Sequence, residues 1–399
     1  MTPFLGLLLI LLITFVGVRF FGRSTIVKTP LLSGFIVSGV PYILIGVILG
    51  PQFFNFLSNE IITSLEPLLS LAIGWVGLLF GIQLRWRKIR RFPRNYTLFT
   101  TIQSVFTFAT IIVIVGFIIS YFNLPNNKNE IEGIIIIAAL GSMTAPLSIA
   151  RTVIKERIKG RIIHLIQFIS SLDSFWGITF AGLTMAIFHP PASQWFYGGW
   201  QWLLFSIIIS ILLGLIFRFL LRFRFEQEEI FLLVLGLVIF TSGIGFYLKL
   251  SPIFMTMIVG ITIAQFPRIS EKVMRIIHTG EKPTYLFLLV FAGALWNYRF
   301  WEEIVLIVAF IISRFIGKYL GGFICAKNIN CSFEIPTNIG KTLLSFGGIS
   351  LAIAFNFQLH YGGFMGDFLM SATILGLLIF DEYTAVNIIK ILQNKGENK

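Results

Sequence analysis

The chain has 399 residues, of which 56% are hydrophobic, 15% aromatic and only 12% charged, with a mean hydropathy of +0.88. That leaves too few polar side chains to coat a soluble globule, so the composition points away from a soluble enzyme and toward a polytopic membrane protein. The formal charge of +13 would fit a nucleic-acid binder only if the basic residues formed a patch, and their spacing along the chain gives them another reason.

A membrane-spanning helix needs about 20 apolar residues at 1.5 Å rise each. Runs of that character lie at 3–21, 29–50, 60–84, 96–122, 131–150, 161–188, 199–218, 229–248, 251–267, 284–298, 301–326, 339–360 and 363–389, thirteen in all, the ninth and tenth being short. The first lacks the basic start and small-residue cleavage site of a signal peptide and reads as a helix. Cytoplasmic loops collect positive charge. Odd-numbered spans are followed by Arg19, Arg23 and Lys28; by Arg85 through Arg94; by Arg151 through Arg161; by Arg218, Arg222 and Arg224; by Arg268 through Lys282; by Lys327 and Lys341; and by Lys390, Lys395 and Lys399. Even-numbered spans are followed by Lys128, Lys249 and Arg299 alone. The alternation predicts an outside N-terminus, a cytoplasmic C-terminus and no role for nucleic acid. The expected location is a bacterial inner membrane.

Within this frame the fifth span carries GSMTAP, Gly141 to Pro146. Pro146 removes a backbone donor, and the Ser142 and Thr144 hydroxyls can satisfy groups freed by a helix break. The sixth carries FISSLDSFWGITF, with Asp173 flanked by Ser170 and Ser174, about 18 Å in from Arg161 at 1.5 Å per residue and so near mid-membrane. An ionised carboxylate there costs several kcal/mol unless compensated, roughly 3 on insertion scales, and defaults to function. The eleventh span holds Arg314 about 20 Å in from Trp301, at matching depth, and Lys318 one turn on, on the same helical face. Lys318 reads either as a second partner of the acid or as a side chain snorkelling to the inner surface. The twelfth carries SFGGIS, where Gly347 and Gly348 permit unwinding or close approach. In the thirteenth, Asp381 and Glu382 read as helix-end or gating charges.

Two six-helix halves joined by a seventh, connector span would make the second half inverted, pairing span five with twelve and six with thirteen. Broken helices in corresponding places of two halves point to a transporter's midplane site. HTGEKP, His278 to Pro283, matches a zinc-finger linker by chance, because Cys325 and Cys331 stand alone, with no metal-ligand spacing and no disulfide framework. The four histidines are scattered, no nucleophile motif or phosphate loop stands out, and no enzyme or cofactor is expected.

At this point the residues resemble the monovalent cation:proton antiporter superfamily, the sodium/hydrogen exchanger family. GSMTAPLSIARTVIKERIKG resembles the family's broken helix and basic loop, SSLDSFWGI its acidic helix, LSPIFMTMIVGITIA its apolar second-half helix, ISRFIGKYLGG its basic helix and LLSFGGISLAIAF its second broken helix. The resemblance covers nearly the whole chain. It implies an all-α polytopic fold with 13 transmembrane helices, two inverted repeats and two crossed discontinuous helices. It also implies dimerisation segments at 1–95 and 225–300, core segments at 96–190 and 301–399, a connector at 191–224, and a homodimer. Asp173 then falls on the family's essential acid, while Leu172 replaces a preceding Asn or Asp, Ala145 an acid or hydroxyl, and Phe168 a glutamate that pairs with the arginine Arg314 resembles.

The resulting expectation is exchange of Na⁺, K⁺ or Li⁺ for a proton at Asp173, aided by Thr144, Ser170 or Ser174 and freed carbonyls, with Arg314 and Lys318 as charge partners. One carboxylate predicts electroneutral exchange. Rival readings are a permanent Asp173–Arg314 strut, a partner-dependent channel, a non-transporting sensor or effector on the same scaffold, and an organic-anion carrier using Arg314. A cytoplasmic regulatory domain would have to come from a separate subunit.

Overall fold

The computed structural model describes residues 39–122, 128–155, 160–189, 198–223, 225–297, 301–331 and 333–394, with isolated positions 6, 8, 10, 12 and 13. Apart from those five positions, the expected first span lies outside the described residues, as does the start of the second. In chain order the elements are α1 Val40–Leu49, α2 Asn59–Ser64, α3 Glu66–Gln83, α4 Trp86–Ile89, α5 Arg94–Tyr121, α6 Lys128–Ser142, α7 Pro146–Lys155, α8 Arg161–Ile187, α9 Gly199–Leu220, α10 Gln227–Tyr247, α11 Pro252–Ala264, α12 Pro267–Leu295, α13 Trp301–Asn328, a 3-10 turn Ile339–Leu343, α14 Gly348–Tyr361 and α15 Gly363–Asn394. No strand occurs among the described residues.

Seven described stretches are long and apolar enough to cross a membrane: 66–83, 94–121, 130–155, 199–220, 227–247, 303–328 and 363–391. The ninth expected span shrinks to the 13 residues of α11, about 20 Å of helix, short of a hydrocarbon layer of about 30 Å. The tenth differs in the other direction. Its preceding basic segment, expected as a loop, is helical, and α12 runs unbroken from Pro267 to Leu295 with Pro283 inside it. The segment is amphipathic: Val273 and Ile277 are buried, and the Ile277 carbonyl accepts a hydrogen bond from the Trp75 indole at 3.2 Å. A buried stripe at helical spacing outweighed the polar composition.

The chain divides into two compact units, each assembled from two separated stretches. Unit 1 comprises residues 1–89 and 182–297. Its core gathers Leu78 and Ile82 of α3, Val234 and Val238 of α10, Val259 and Ile263 of α11, and Val273 and Ile277 of α12. With no aqueous drive between helices inside a bilayer, close backbone contact must hold them together. Glycine supplies it: a Cβ on Gly81 would lie 2.1 Å from the Met257 carbonyl of α11.

Unit 2 comprises residues 90–181 and 298–399. Here α13 packs along α5 and lies against the 3-10 turn, while α15 packs on α14. A Cβ on Gly340 would sit 2.2 Å from the Lys318 carbonyl, so glycine lets the 3-10 turn press onto α13. The helical path is interrupted twice. Between α6 and α7, residues 143–145 leave the helix and Pro146 starts the next one; residues 344–347 separate the 3-10 turn from α14. Each interruption frees carbonyls that have no partner within their own helix.

Candidate functional site

Both interruptions meet in unit 2. The Ala145 amide donates to the Ser345 carbonyl at 3.0 Å, and the Thr144 hydroxyl lies 2.9 Å from the Leu343 carbonyl. Gly347 is extended rather than left-handed. A Cβ there would lie 2.9 Å from the Ala145 Cβ, so two small residues face each other where the interruptions touch. Pro146 and Gly348 are the first residues of α7 and α14, the places where each chain resumes its helix.

Asp173, on α8, is fully buried beside this junction. Its Oδ2 lies 2.6 Å from the Lys318 ammonium and accepts the Thr144 hydroxyl at 2.8 Å; its Oδ1 accepts a hydrogen bond from Ser104. With its amide turned to satisfy both ends, Gln103 donates to both carboxylate oxygens at 3.2 Å. A Cβ on Gly177 would strike Met143 at 2.0 Å, so that glycine lets α8 close on the first interruption.

Lys318, and not Arg314, makes the ion pair with Asp173. The snorkelling alternative does not describe it, because the whole residue is 0% exposed. The three ammonium protons face three acceptors: Asp173 at 2.6 Å, the Ser142 carbonyl at 2.5 Å and the Thr144 hydroxyl at 2.9 Å. A buried ion pair persists only when its remaining donors and acceptors are satisfied, and this one meets that condition.

Arg314 has a different task from the one expected of it. It is equally buried, and its guanidinium donates to the carbonyls of Gly141 in the last turn of α6, of Met143 in the first interruption, and of Leu344 and Ser345 in the second. Its Cζ stacks 4.0 Å from the centre of the Phe346 ring. A planar fork of donors suits several carbonyls at once, where an ammonium would reach fewer. The two cations at i and i+4 therefore divide the labour: the arginine joins the interruptions and the lysine neutralises the acid.

Thr144 has one proton and two acceptors in reach, Asp173 and Leu343, so it donates to one at a time. Ser174 donates to the Thr144 carbonyl at 2.9 Å and positions that residue. Ser170 is buried but bonds the Gln167 carbonyl at 2.9 Å, one turn back on α8, and makes no described bond to Asp173. Asp381 of α15 is more than a helix-end charge. Its Oδ1 accepts from the Phe346 amide at 3.1 Å and the Ser148 hydroxyl at 3.1 Å, tying the lead-in of α14 to the first turn of α7.

Sequence reasoning overlooked Gln103 and Ser104. A signal was present: Thr100, Gln103, Ser104 and Thr107 fall at i, i+3, i+4 and i+7, one polar stripe on a membrane helix, and the fold buries all four.

Comparison with known proteins matches residues 10–381 to the family described as "Sodium/hydrogen exchanger, transmembrane". The ammonium/H(+) antiporter subunit AmhT of Alkalihalophilus pseudofirmus is 24% identical over 175 residues, 43% of this chain and 45% of that protein. The match thus spans less than half the length of that curated relative. Among solved structures, the sodium proton antiporter MjNhaP1 from Methanocaldococcus jannaschii at pH 8 superposes with a TM-score of 0.65 at 15% identity, covering 97% of this chain and 99% of that one. A second structure of the same antiporter, from electron microscopy, gives 0.57 at 16% identity, covering 95% and 96%.

Proposed function

The chain belongs to the sodium/hydrogen exchanger family, and we propose that it exchanges a monovalent cation for protons by alternating access at one carboxylate, Asp173. One observation carries the reading: the buried Asp173 is held by a buried ammonium, Lys318, at 2.6 Å. A tethered cation on a carboxylate surrounded by hydroxyls and freed carbonyls marks a place where a free cation can take the ammonium's position, since hard oxygen donors suit such ions. Thr144, Ser104 and Gln103 serve the carboxylate directly; Ser174 and Arg314 shape the junction around it. Na⁺, K⁺ and Li⁺ fit this donor set, and the curated relative's designation adds ammonium to the candidates. The anion-carrier alternative is disfavoured because four carbonyl oxygens already occupy the Arg314 fork.

In this reading unit 2 is the transport core and unit 1 the dimerisation unit. The two interruptions are the paired discontinuous helices of an inverted repeat, and the full chain makes thirteen spans with a cytoplasmic C-terminus. The relative's being a subunit supports a separate partner polypeptide for regulation.

Exchange at one carboxylate moves one proton per monovalent cation and is electroneutral. The Lys318 contact supports a second reading, because a cation on Asp173 repels a protonated ammonium beside it and favours release of a second proton. Purified protein in proteoliposomes decides: cation-driven proton flux is the expected result, and its absence from well-folded protein would sink the proposal. An imposed membrane potential at zero ion gradients drives no flux if exchange is one-for-one, and drives flux if Lys318 carries the second proton.

Ser104→Ala is expected to weaken apparent cation affinity about fivefold, the effect of losing one hydrogen bond of about 1 kcal/mol, with the maximal rate little changed. An unchanged half-saturating cation concentration would remove Ser104 from the site.

A further inference from the structure

Unit 1 contains a cavity that exchange at Asp173 does not use. Where α9 ends and α12 begins, a space of about 620 Å³ is lined by four cations, Arg218, Arg222, Arg268 and Lys272, and by the rings of Phe225 and Phe266. Arg218 is half-buried with its guanidinium over the Phe266 ring at 3.7 Å, and the other three cations are exposed. Among the described residues no carboxylate forms an ion pair with any of the four; Glu271, which lies between Arg268 and Lys272 in sequence, pairs with Arg85 instead. Four like charges around one cavity repel one another unless an anion joins them.

The surroundings select the kind of anion. Along α9, Ile208, Leu212, Leu215 and Phe219 are exposed at helical spacing, an apolar stripe that continues to Phe223 on the cavity wall. A soluble anion would use the cations and ignore that stripe, whereas an amphiphile uses both. We infer that the cavity receives the phosphate of an anionic phospholipid, with the acyl chains lying along the exposed stripe of α9. Arg222 and Arg268 offer bidentate forks to the phosphate oxygens, Lys272 adds a point charge, and the stacked Arg218 forms a fixed base. Basic pockets between helices at a membrane face have the chemistry to hold such headgroups.

The test titrates purified full-length protein in a neutral detergent with dioleoylphosphatidylglycerol, dioleoylphosphatidylcholine or inorganic phosphate, reading bound lipid by native mass spectrometry and stability by thermal unfolding. The expected result is that phosphatidylglycerol binds and raises Tm, phosphatidylcholine does neither, and millimolar phosphate does not displace the lipid. Each removed cation weakens binding roughly fivefold, so Arg222→Gln/Arg268→Gln/Lys272→Gln lowers affinity for phosphatidylglycerol at least tenfold. Arg222→Lys, which keeps the charge, loses less than Arg222→Gln and supplies the comparison if the triple variant is unstable. Equal binding of the two lipids, displacement by free phosphate, or undiminished binding by the substituted protein would each overturn the inference. Because the readout is lipid binding, the result stands or falls separately from exchange at Asp173.

Discussion

Asp173→Asn is expected to remove cation-coupled proton flux from reconstituted protein, while the double variant Asp173→Asn/Lys318→Met regains stability and stays inactive. The amide keeps the shape of the carboxylate and part of its hydrogen bonding but cannot be exchanged between a proton and a cation. It also strands the Lys318 ammonium, whose other partners are a carbonyl and a hydroxyl. Breaking a buried ion pair by removing one partner costs about 3–5 kcal/mol, whereas replacing both members with apolar groups of similar volume is often neutral or stabilising. The single variant should therefore unfold at lower temperature than wild type, and Lys318→Met should return most of the difference. A permanent strut predicts a different result: once stability is recovered, function returns as well. Cation-dependent flux in the double variant would refute the carrier role of Asp173; flux absent in a stable double variant would leave the strut without support.

Arg314→Ala is expected to lower Tm on the order of 10 °C or more, since several kcal/mol are lost at a few degrees per kcal/mol. The side chain donates to Gly141, Met143, Leu344 and Ser345, and each carbonyl left buried without a donor costs about 1–3 kcal/mol. Arg314→Lys retains the charge without the fork and is expected to recover less than half of the loss. This differs from what a charge partner of Asp173 would do, because a lysine replacement would then preserve the attraction. A wild-type Tm for Arg314→Ala would show that the two interruptions hold together without the guanidinium. The pH dependence of exchange is expected to follow substitutions of Lys318, which touches the acid, more closely than those of Arg314.

The arrangement explains why a site with one carboxylate can be so deeply buried. Asp173 has the ammonium of Lys318, two hydroxyls and an amide around it, and the interruptions on either side are joined by Arg314 and by Asp381. No member is exposed to bulk solvent except Asp381, which is only partly buried. At this junction Asp173 and Lys318 neutralise each other and the Arg314 guanidinium is met by carbonyl oxygens, the condition under which ionisable groups persist in a low-dielectric interior.

Several features were determined by the sequence alone because they depend on local composition. Long apolar runs specify membrane helices without reference to the rest of the fold. An aspartate in such a run requires compensating partners wherever the chain folds, and Pro146 and the glycines Gly347 and Gly348 mark breaks, because proline lacks a donor and glycine lacks a Cβ. Tertiary structure decided what no single segment encodes. Arg314 and Lys318 share one helical face and similar depth, and only the offset between α8 and α13 determines which of them reaches Asp173. Gln103 and Ser104 become ligands of the acid only because α5 packs along α13 beside it. Asp381 resembles a terminal charge until the fold brings Phe346 and Ser148 to it. The cationic cavity depends likewise on separate segments, 218–225 and 266–272, meeting in space, and α12 runs on through its polar start where Val273 and Ile277 join the core around Trp75. Helix formation and membrane insertion are largely local free energies that can be read along the chain; ion pairing and close packing depend on distances across it, which only the folded arrangement sets.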